Sequence, residues 1–159
     1  MFGDEDAGQS NAKLGGAVSK LRAVMDTNVL VAAFRSRTGA SFQIIEGLRR
    51  AEWTAVLSNH LIFEYEEVLK RDAAALALSL DDVDQLLNAL CAHGVEWALT
   101  HNWEPVLPDP DDEPLVQLAQ ESGAKIIITH NTGHLRPAVS LGIQVLKPRE
   151  FLAILRRLK

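Results

Sequence analysis

Acidic residues stand at separated points of the sequence where they can do chemistry together. Asp26 directly follows the apolar run Leu21-Arg22-Ala23-Val24-Met25, and the cluster Asp109-Pro110-Asp111-Asp112-Glu113 precedes an amphipathic segment. Asn131 comes just after the β-branched run Ile126-Ile127-Ile128-Thr129, and Glu64, Glu66 and Glu67 share one predicted helix. Half-buried carboxylates gathered at one place repel unless a cation neutralises them. Hard oxygen donors without cysteine suit Mg2+ or Mn2+. Such ions serve phosphoryl chemistry by activating a water and stabilising charge on the phosphate.

A frame has to bring these residues to one place. The run Leu21–Met25 has the mark of a strand buried on both faces, and Asp26-Thr27-Asn28 closes it with capping residues before a helix from Val29 to Phe34. Arg35 to Gly39 reads as a polar loop. A helix follows over about Ala40–Arg50, with Phe42, Ile45 and Leu48 on one side. Thr54–Leu57 is a second strand, and Ser58 or Asn59 caps a helix to about Arg71. Ser79 caps another from Leu80 to Ala92, with Gly94 at the usual C-terminal position. Val95–Leu99 is a third strand, and His101–Pro110 a proline-rich loop. Asp111 to Ser122 is a helix ended by Gly123, Lys125–Thr129 a central strand, and Ile143–Leu146 the last strand. Pro148 opens a basic C-terminal helix at a position that tolerates proline. Strands separated by helices predict a three-layer α/β/α sandwich on a parallel sheet. Ligands bind such sheets at the carboxyl ends of the strands, where Asp26 and Asn131 stand.

Helical geometry narrows the choice inside each cluster without closing it. At about 100° per residue, Leu115, Val116, Leu118 and Ala119 form the buried stripe of the helix at Asp111. Asp112 falls inside that stripe with Asp111 near it, and Glu113 points away. On the helix at His60 the stripe is Leu61, Tyr65, Val68 and Leu69. Glu64 and Glu66 border it on either side, and Glu67 is opposite. Each acid has a plainer role open to it: Asp26, Asp111 or Asp112 as a helix cap, and Glu64 as part of a solvated face.

The 159 residues are 47% hydrophobic and 23% charged. That length makes one domain able to bury roughly two-thirds of its unfolded surface, and that composition excludes disorder for most of the chain. Residues 1–20 read as a flexible tail and residues 21–159 as the domain. The single Cys91 excludes a disulfide framework and an all-thiolate metal site, which suits a reducing cytosol. No apolar run approaches the eighteen or so residues needed to span a bilayer, and the acidic Met1–Asp6 stretch reads as no signal peptide. A cytoplasmic location is expected. A net charge of -5 argues against non-specific coating of nucleic acid, though not against cutting it through bound metal.

Val24-Met25-Asp26-Thr27-Asn28-Val29-Leu30, and Glu64 within Leu61-Ile62-Phe63-Glu64-Tyr65-Glu66-Glu67-Val68-Leu69, resemble the first half of PIN-domain ribonucleases. Asp109–Glu113 leading to Leu118-Ala119, then Ile128-Thr129-His130-Asn131, resemble the second half. The ending Gly142-Ile143, Pro148 and Glu150-Phe151-Leu152 is similar to the toxin components of toxin–antitoxin pairs, relatives of VapC toxins. The match runs from about Leu21 to Leu152. It implies Mg2+- or Mn2+-dependent cleavage of single-stranded RNA, leaving 5′-phosphate and 3′-hydroxyl ends. It also implies Asp26, Glu64 and Asp112 as the catalytic metal ligands, with Asn28 and Thr129 lining the site. Asp112 is preferred to Asp111 because the family's aspartate stands seven residues before the helix alanine, here Ala119. Many members carry a fourth acid where this chain has Asn131, with His134 where others place a later acid. An amide can hold a metal-bound water or a phosphate but brings no charge. Arg35, Arg37, His130, His134 and Arg136 are candidates to grip the RNA backbone. By analogy an antitoxin protein and a homodimer are expected partners. The helix 78–92 and Phe151, Leu152, Ile154 and Leu155 are open to such contacts or to packing on the chain's own core.

Other patterns fail on their residues. No glycine-rich phosphate loop is present. Asp109–Glu113 is no calcium loop, because Pro114 and Gln120 stand where glycine and the bidentate glutamate belong. The pairs His130–His134 and His60–Glu64 lack a third zinc ligand, and Cys91 sits in an apolar helix as core rather than nucleophile. One acid at the end of the first strand also argues against a receiver domain. The rival reading is a PIN-fold RNA- or protein-binding module with weak or no catalysis, and loss of metal-dependent activity in Asp26→Asn separates the two.

Overall fold

The computed structural model describes residues 21–158; the tail expected over residues 1–20 lies outside the described residues. Five parallel strands form one sheet: β1 (Leu21–Met25), β2 (Trp53–Leu57), β3 (Val95–Glu96), β4 (Ile126–Ile128) and β5 (Gln144–Leu146). Their spatial order is β3-β2-β1-β4-β5. The middle strand β1 pairs with β2 through Ala23 and Ala55, and with β4 through Val24 and Ile127. The chain builds outward from β1 to β2 and β3, then returns to add β4 and β5 on the other side. A crevice opens where that order reverses, beyond the carboxyl ends of β1 and β4. Asp26 N donates to Ile128 O at 2.9 Å, which ties the ends of these two strands together.

Six helices cover the sheet: α1 (Thr27–Arg35), α2 (Ala40–Arg49), α3 (Asn59–Arg71), α4 (Leu80–His93), α5 (Glu113–Glu121) and α6 (Pro148–Arg157). β1 and β4 are buried almost throughout because helices lie over both faces, which is why both read as unbroken apolar runs. On one face α2 packs against α1 and α6. Trp53 from β2 donates its indole N–H to Ile44 O at 2.9 Å and meets Phe151 of α6 edge-on, with centroids 5.0 Å apart. Elsewhere α3 packs against α1, α4 and α5. Ser58 caps α3 by accepting from Leu61 N, and Ser79 closes a capping box with Asp82 on α4.

Several sequence expectations change. The third strand ends at Glu96 rather than Leu99, with one further ladder bond from Trp97 N to Leu57 O. Beyond it Thr100 is committed to α5: its N–H and hydroxyl donate to Glu121, and its carbonyl accepts from Gln117. The helix expected from Asp111 is a 3-10 turn over Pro110–Asp112, and α5 proper begins at Glu113. Pro114 has no N–H to give the Pro110 carbonyl, so an α-helical ladder cannot run through that point. Gly94 is not in the left-handed cap conformation, with φ at -90°. A Cβ there would lie 2.7 Å from Leu57 Cδ1 and from Leu90 O, so close packing of α4 on β2 requires the glycine. Gly123 does adopt the left-handed cap, with φ at +78°. A 3-10 stretch over Thr132–Leu141 follows β4 and was not anticipated. On α6, Phe151 and Leu155 are buried in the chain's own core, as are Val83, Leu87 and Leu90 of α4.

Candidate active site

Three elements deliver acids to one cavity of about 190 Å3 in the crevice. Asp26 comes from the end of β1, Glu64 from α3, and Asp111 and Asp112 from the 3-10 turn before α5; His60, Leu61, Pro114 and Leu115 complete the lining. None of these acids serves as a cap. Asp26 sits at the N-cap position of α1 without a side-chain cap bond, and the turn before α5 is capped by Asp109, which accepts from Asp111 N at 2.9 Å. The plainer roles open to Asp26, Asp111 and Asp112 therefore fall away.

Asp26 is held by neutral donors. Its Oδ2 accepts from the Thr129 hydroxyl at 2.7 Å and from Asn28 Nδ2 at 3.3 Å. Thr129, itself fully buried at the end of β4, also accepts from Asn131 N at 3.0 Å. Asn28 in turn accepts His130 N on its Oδ1 at 3.2 Å. Glu64 is fixed by a hydrogen bond from the Thr27 hydroxyl and has His60 Nε2 at 3.9 Å from its other oxygen. The next residue, Tyr65, is fully buried and donates its hydroxyl to Met25 O, which pins α3 to the end of β1 one residue from each acid. Burial holds that phenol well above its usual range, and the Asp26 and Glu64 charges add to the effect.

The electrostatics are those of acids lacking a counter-charge. Burial raises the Asp26 pKa above 3.8; the Thr129 hydrogen bond opposes this, and repulsion from Glu64 and Asp112 adds to it. Asp112 is also raised, first by burial and then by Asp109, with Asp111 and Glu64 contributing; nearby His134 pulls the other way. Among the described residues no three acidic, imidazole or thiol side chains are grouped so as to hold a metal ion. The donor set nonetheless fits a hard divalent cation: every acid offers oxygen, and repulsion among half-buried carboxylates is what a cation relieves. Mg2+ in particular binds through one or two carboxylates plus substrate phosphate rather than through an all-protein cage.

The sequence profile of the PIN domain family matches residues 22–133. The chain belongs to the PIN domain family. The sheet order and flanking helices agree. The fold is similar to that of a PilT N-terminus domain protein from the hyperthermophilic archaeon Sulfolobus solfataricus P2, with a TM-score of 0.50 at 18% identity over 85% of this chain and 93% of that one. No curated protein is significantly similar in sequence. PIN domains are typically metal-dependent nucleases. Among its described residues no helix is long and apolar enough to cross a membrane.

The remaining predicted residues divide. Asn28 and Thr129 contact Asp26 directly, Asn131 stands exposed beside them, and His134 lies near Asp112. His130 faces Ser41 Oγ at 3.2 Å, and burial lowers its pKa, aided by Lys147. Arg35 is the last residue of α1 rather than part of a loop. Arg37 is turned onto the Phe34 ring, 5.6 Å from its centroid, and is positioned by that contact. Arg136 is exposed on the 3-10 stretch. Of the three glutamates on α3, Glu66 pairs with Lys70 at 2.8 Å and Glu67 is exposed, which leaves Glu64 as the one facing the cavity. Cys91 is half-buried, and burial raises its thiol pKa, so it is no activated nucleophile.

The largest correction concerns Glu113, which the helical wheel turns away from the core. It is only 8% exposed, because the loop before α5 folds over it. Its carboxylate accepts from Trp103 Nε1 at 2.8 Å, from Val106 N at 2.9 Å and from Leu107 N. Thr27 and Tyr65 were also missed as positioning residues. Thr27 carried a signal, since it is the one hydroxyl between the two polar residues Asp26 and Asn28.

Proposed function

We propose that this PIN domain is an endoribonuclease that cleaves single-stranded RNA with Mg2+ or Mn2+, held by Asp26, Glu64 and Asp112. One observation carries the reading: three acids from three distant segments line a single cavity, where burial and then neighbouring carboxylates hold Asp26 and Asp112 above the ordinary carboxylate range. A divalent cation bound there would supply an activated water and charge stabilisation at the phosphate. The chain's own residues do the rest. Thr129 and Asn28 fix the Asp26 carboxylate, Thr27 fixes Glu64, and Asp109 shapes the turn that presents Asp112. His60 and His134 place imidazoles beside Glu64 and Asp112, where they can meet an incoming phosphate. Asn131, exposed beside Thr129, offers a neutral amide near the cavity where many family members carry an acid.

The role proposed for the PIN domain is that of a toxin inhibited by an antitoxin protein; the similarity of the segment 142–152 to toxin components supports it. The test is incubation of purified protein with a labelled single-stranded RNA in Mn2+, in Mg2+ and in EDTA, beside Asp26→Asn. Metal-dependent cutting that vanishes in the variant is the expected result. No cutting by folded protein free of copurified antitoxin leaves the fold as a binding module, with Asn131 the suspected cause.

A further inference from the structure

A second cavity, about 530 Å3, lies beside the acidic one between α1 and α3. Its volume falls within the range of roughly 300–1,000 Å3 typical of small-ligand sites. Thr27 and Asn28 form part of its wall, and through them it adjoins the acids: Thr27 bonds Glu64 and Asn28 bonds Asp26. The two cavities share no lining residue, yet Asp26 lines one and the next residue, Thr27, lines the other, so they adjoin at the start of α1.

Their charge is opposite. Four carboxylates line the first cavity. The second presents Arg35 and Arg71 against one acid, Asp72, with the His130 imidazole as a neutral polar group, since burial lowers its pKa. Arg71 is paired with that acid at 3.2 Å, whereas Arg35 enters no ion pair among the described residues. Lys147 adds positive charge next to His130. Between the polar groups the lining is aliphatic: Val31 and Ala32 from α1 and Val68 from α3.

We propose that this groove is the subsite for the nucleotide next to the scissile phosphate of a single-stranded RNA. Its base or ribose lies on Val31, Ala32 and Val68, and its outer phosphate meets Arg35 and His130. Alternating cationic and apolar contacts match the alternation of phosphate and base along a strand, and arginine is well suited to phosphate. No phenyl, phenol or indole ring is among the lining residues, so a base is held by aliphatic contact, with the His130 imidazole the one ring at the groove. The same geometry separates two neighbouring arginines: Arg35, at the end of α1, faces the groove, and Arg37 lies on the Phe34 ring. The proposal rests on the acidic cavity being a nuclease centre.

The experiment measures binding of a fluorescein-labelled octamer of single-stranded RNA by anisotropy in EDTA, across a salt series, with folding checked by circular dichroism. Arg35→Ala is expected to raise Kd about tenfold and to reduce the salt slope by about 0.7, the loss of one phosphate contact to a single strand. Ala32→Phe, which fills the groove without changing charge, is expected to raise Kd with the slope intact. Arg157→Ala, an equal charge loss on exposed α6, controls for long-range attraction. Wild-type affinity in both groove variants, with a wild-type protein that still cuts RNA in Mn2+, overturns the subsite and leaves the nuclease standing. That is also the result if the groove serves a protein partner. A wild-type protein that neither binds nor cuts the RNA overturns the nuclease reading and the subsite with it.

Discussion

Asp112 and Glu113 are neighbours in sequence and opposite in fate. Glu113 is the more buried of the two, yet three N–H donors converge on it, so its charge is satisfied and it fastens the loop before α5. Asp112 faces a cavity in which its nearest charged groups are mostly other acids. The same contrast holds at the other end of α5. Burial is the largest single influence on Glu121 and pushes its pKa up, but the hydrogen bonds from Thr100 and Gln117 together outweigh it and hold the pKa low. Asp26, also hydrogen-bonded, is nonetheless held high. Burial alone does not mark a functional carboxylate. Donors surrounding it make it structural; like charges surrounding it make it a place for a cation.

The sharpest test of this contrast is a pair of substitutions. Asp26→Asn keeps the side-chain size and an acceptor for Thr129 but removes the charge. Cleavage should fall by at least about a hundredfold, on the scale of losing a group that holds a metal, while thermal stability holds or rises. A variant that cuts normally, or that unfolds, erases the distinction. Glu113→Ala should behave in the reverse way. It strands a buried indole N–H and two backbone N–H groups, and a loss of about 2–4 kcal/mol is expected in urea unfolding; an unchanged midpoint would show that water replaces the carboxylate freely.

Smaller effects sharpen the comparison. Thr27→Val removes the hydroxyl that fixes Glu64 at nearly constant volume, and an activity loss of about tenfold is expected with Mn2+ affinity weakened in parallel. Activity loss without any change in Mn2+ titration would move Thr27 from positioning Glu64 to contacting RNA. The smallest effect is on pH. A carboxyl whose folded pKa lies above its unfolded value of 3.8 adds stability that is complete below 3.8 and is lost as pH rises through the folded value. Metal-free wild type should therefore lose stability relative to Asp26→Asn as pH climbs through that window, and added Mg2+ should close the gap. A gap independent of pH would show that Asp26 is not strained by its neighbours.

Much of the frame was legible in the sequence because its signals are local. The apolar runs of β1, β2 and β4, the caps at Ser58 and Ser79, and Gly123 in its left-handed conformation each depend on residues within a turn of one another. Errors fell where distant chain competes for the same groups. β3 stops early because α5 claims Thr100, and Gly94 is needed for its contact with β2 rather than for its backbone angle. The helical wheel placed Glu113 wrongly relative to solvent, since a wheel contains no loops.

The sequence by itself determined which residue types were present, which segments were strands and helices, and that Asp26 and Asn131 would stand at strand ends. Hydrophobic period and capping chemistry act within a few residues, so one chain suffices to read them. Only the tertiary structure decided between Glu64 and Glu66, released Asp26 from capping, made Glu113 structural, and set a cationic groove beside an acidic cavity. Each of those outcomes depends on which side chains from remote segments share a low-dielectric space, and Coulomb energy and burial are properties of that space rather than of any local pattern.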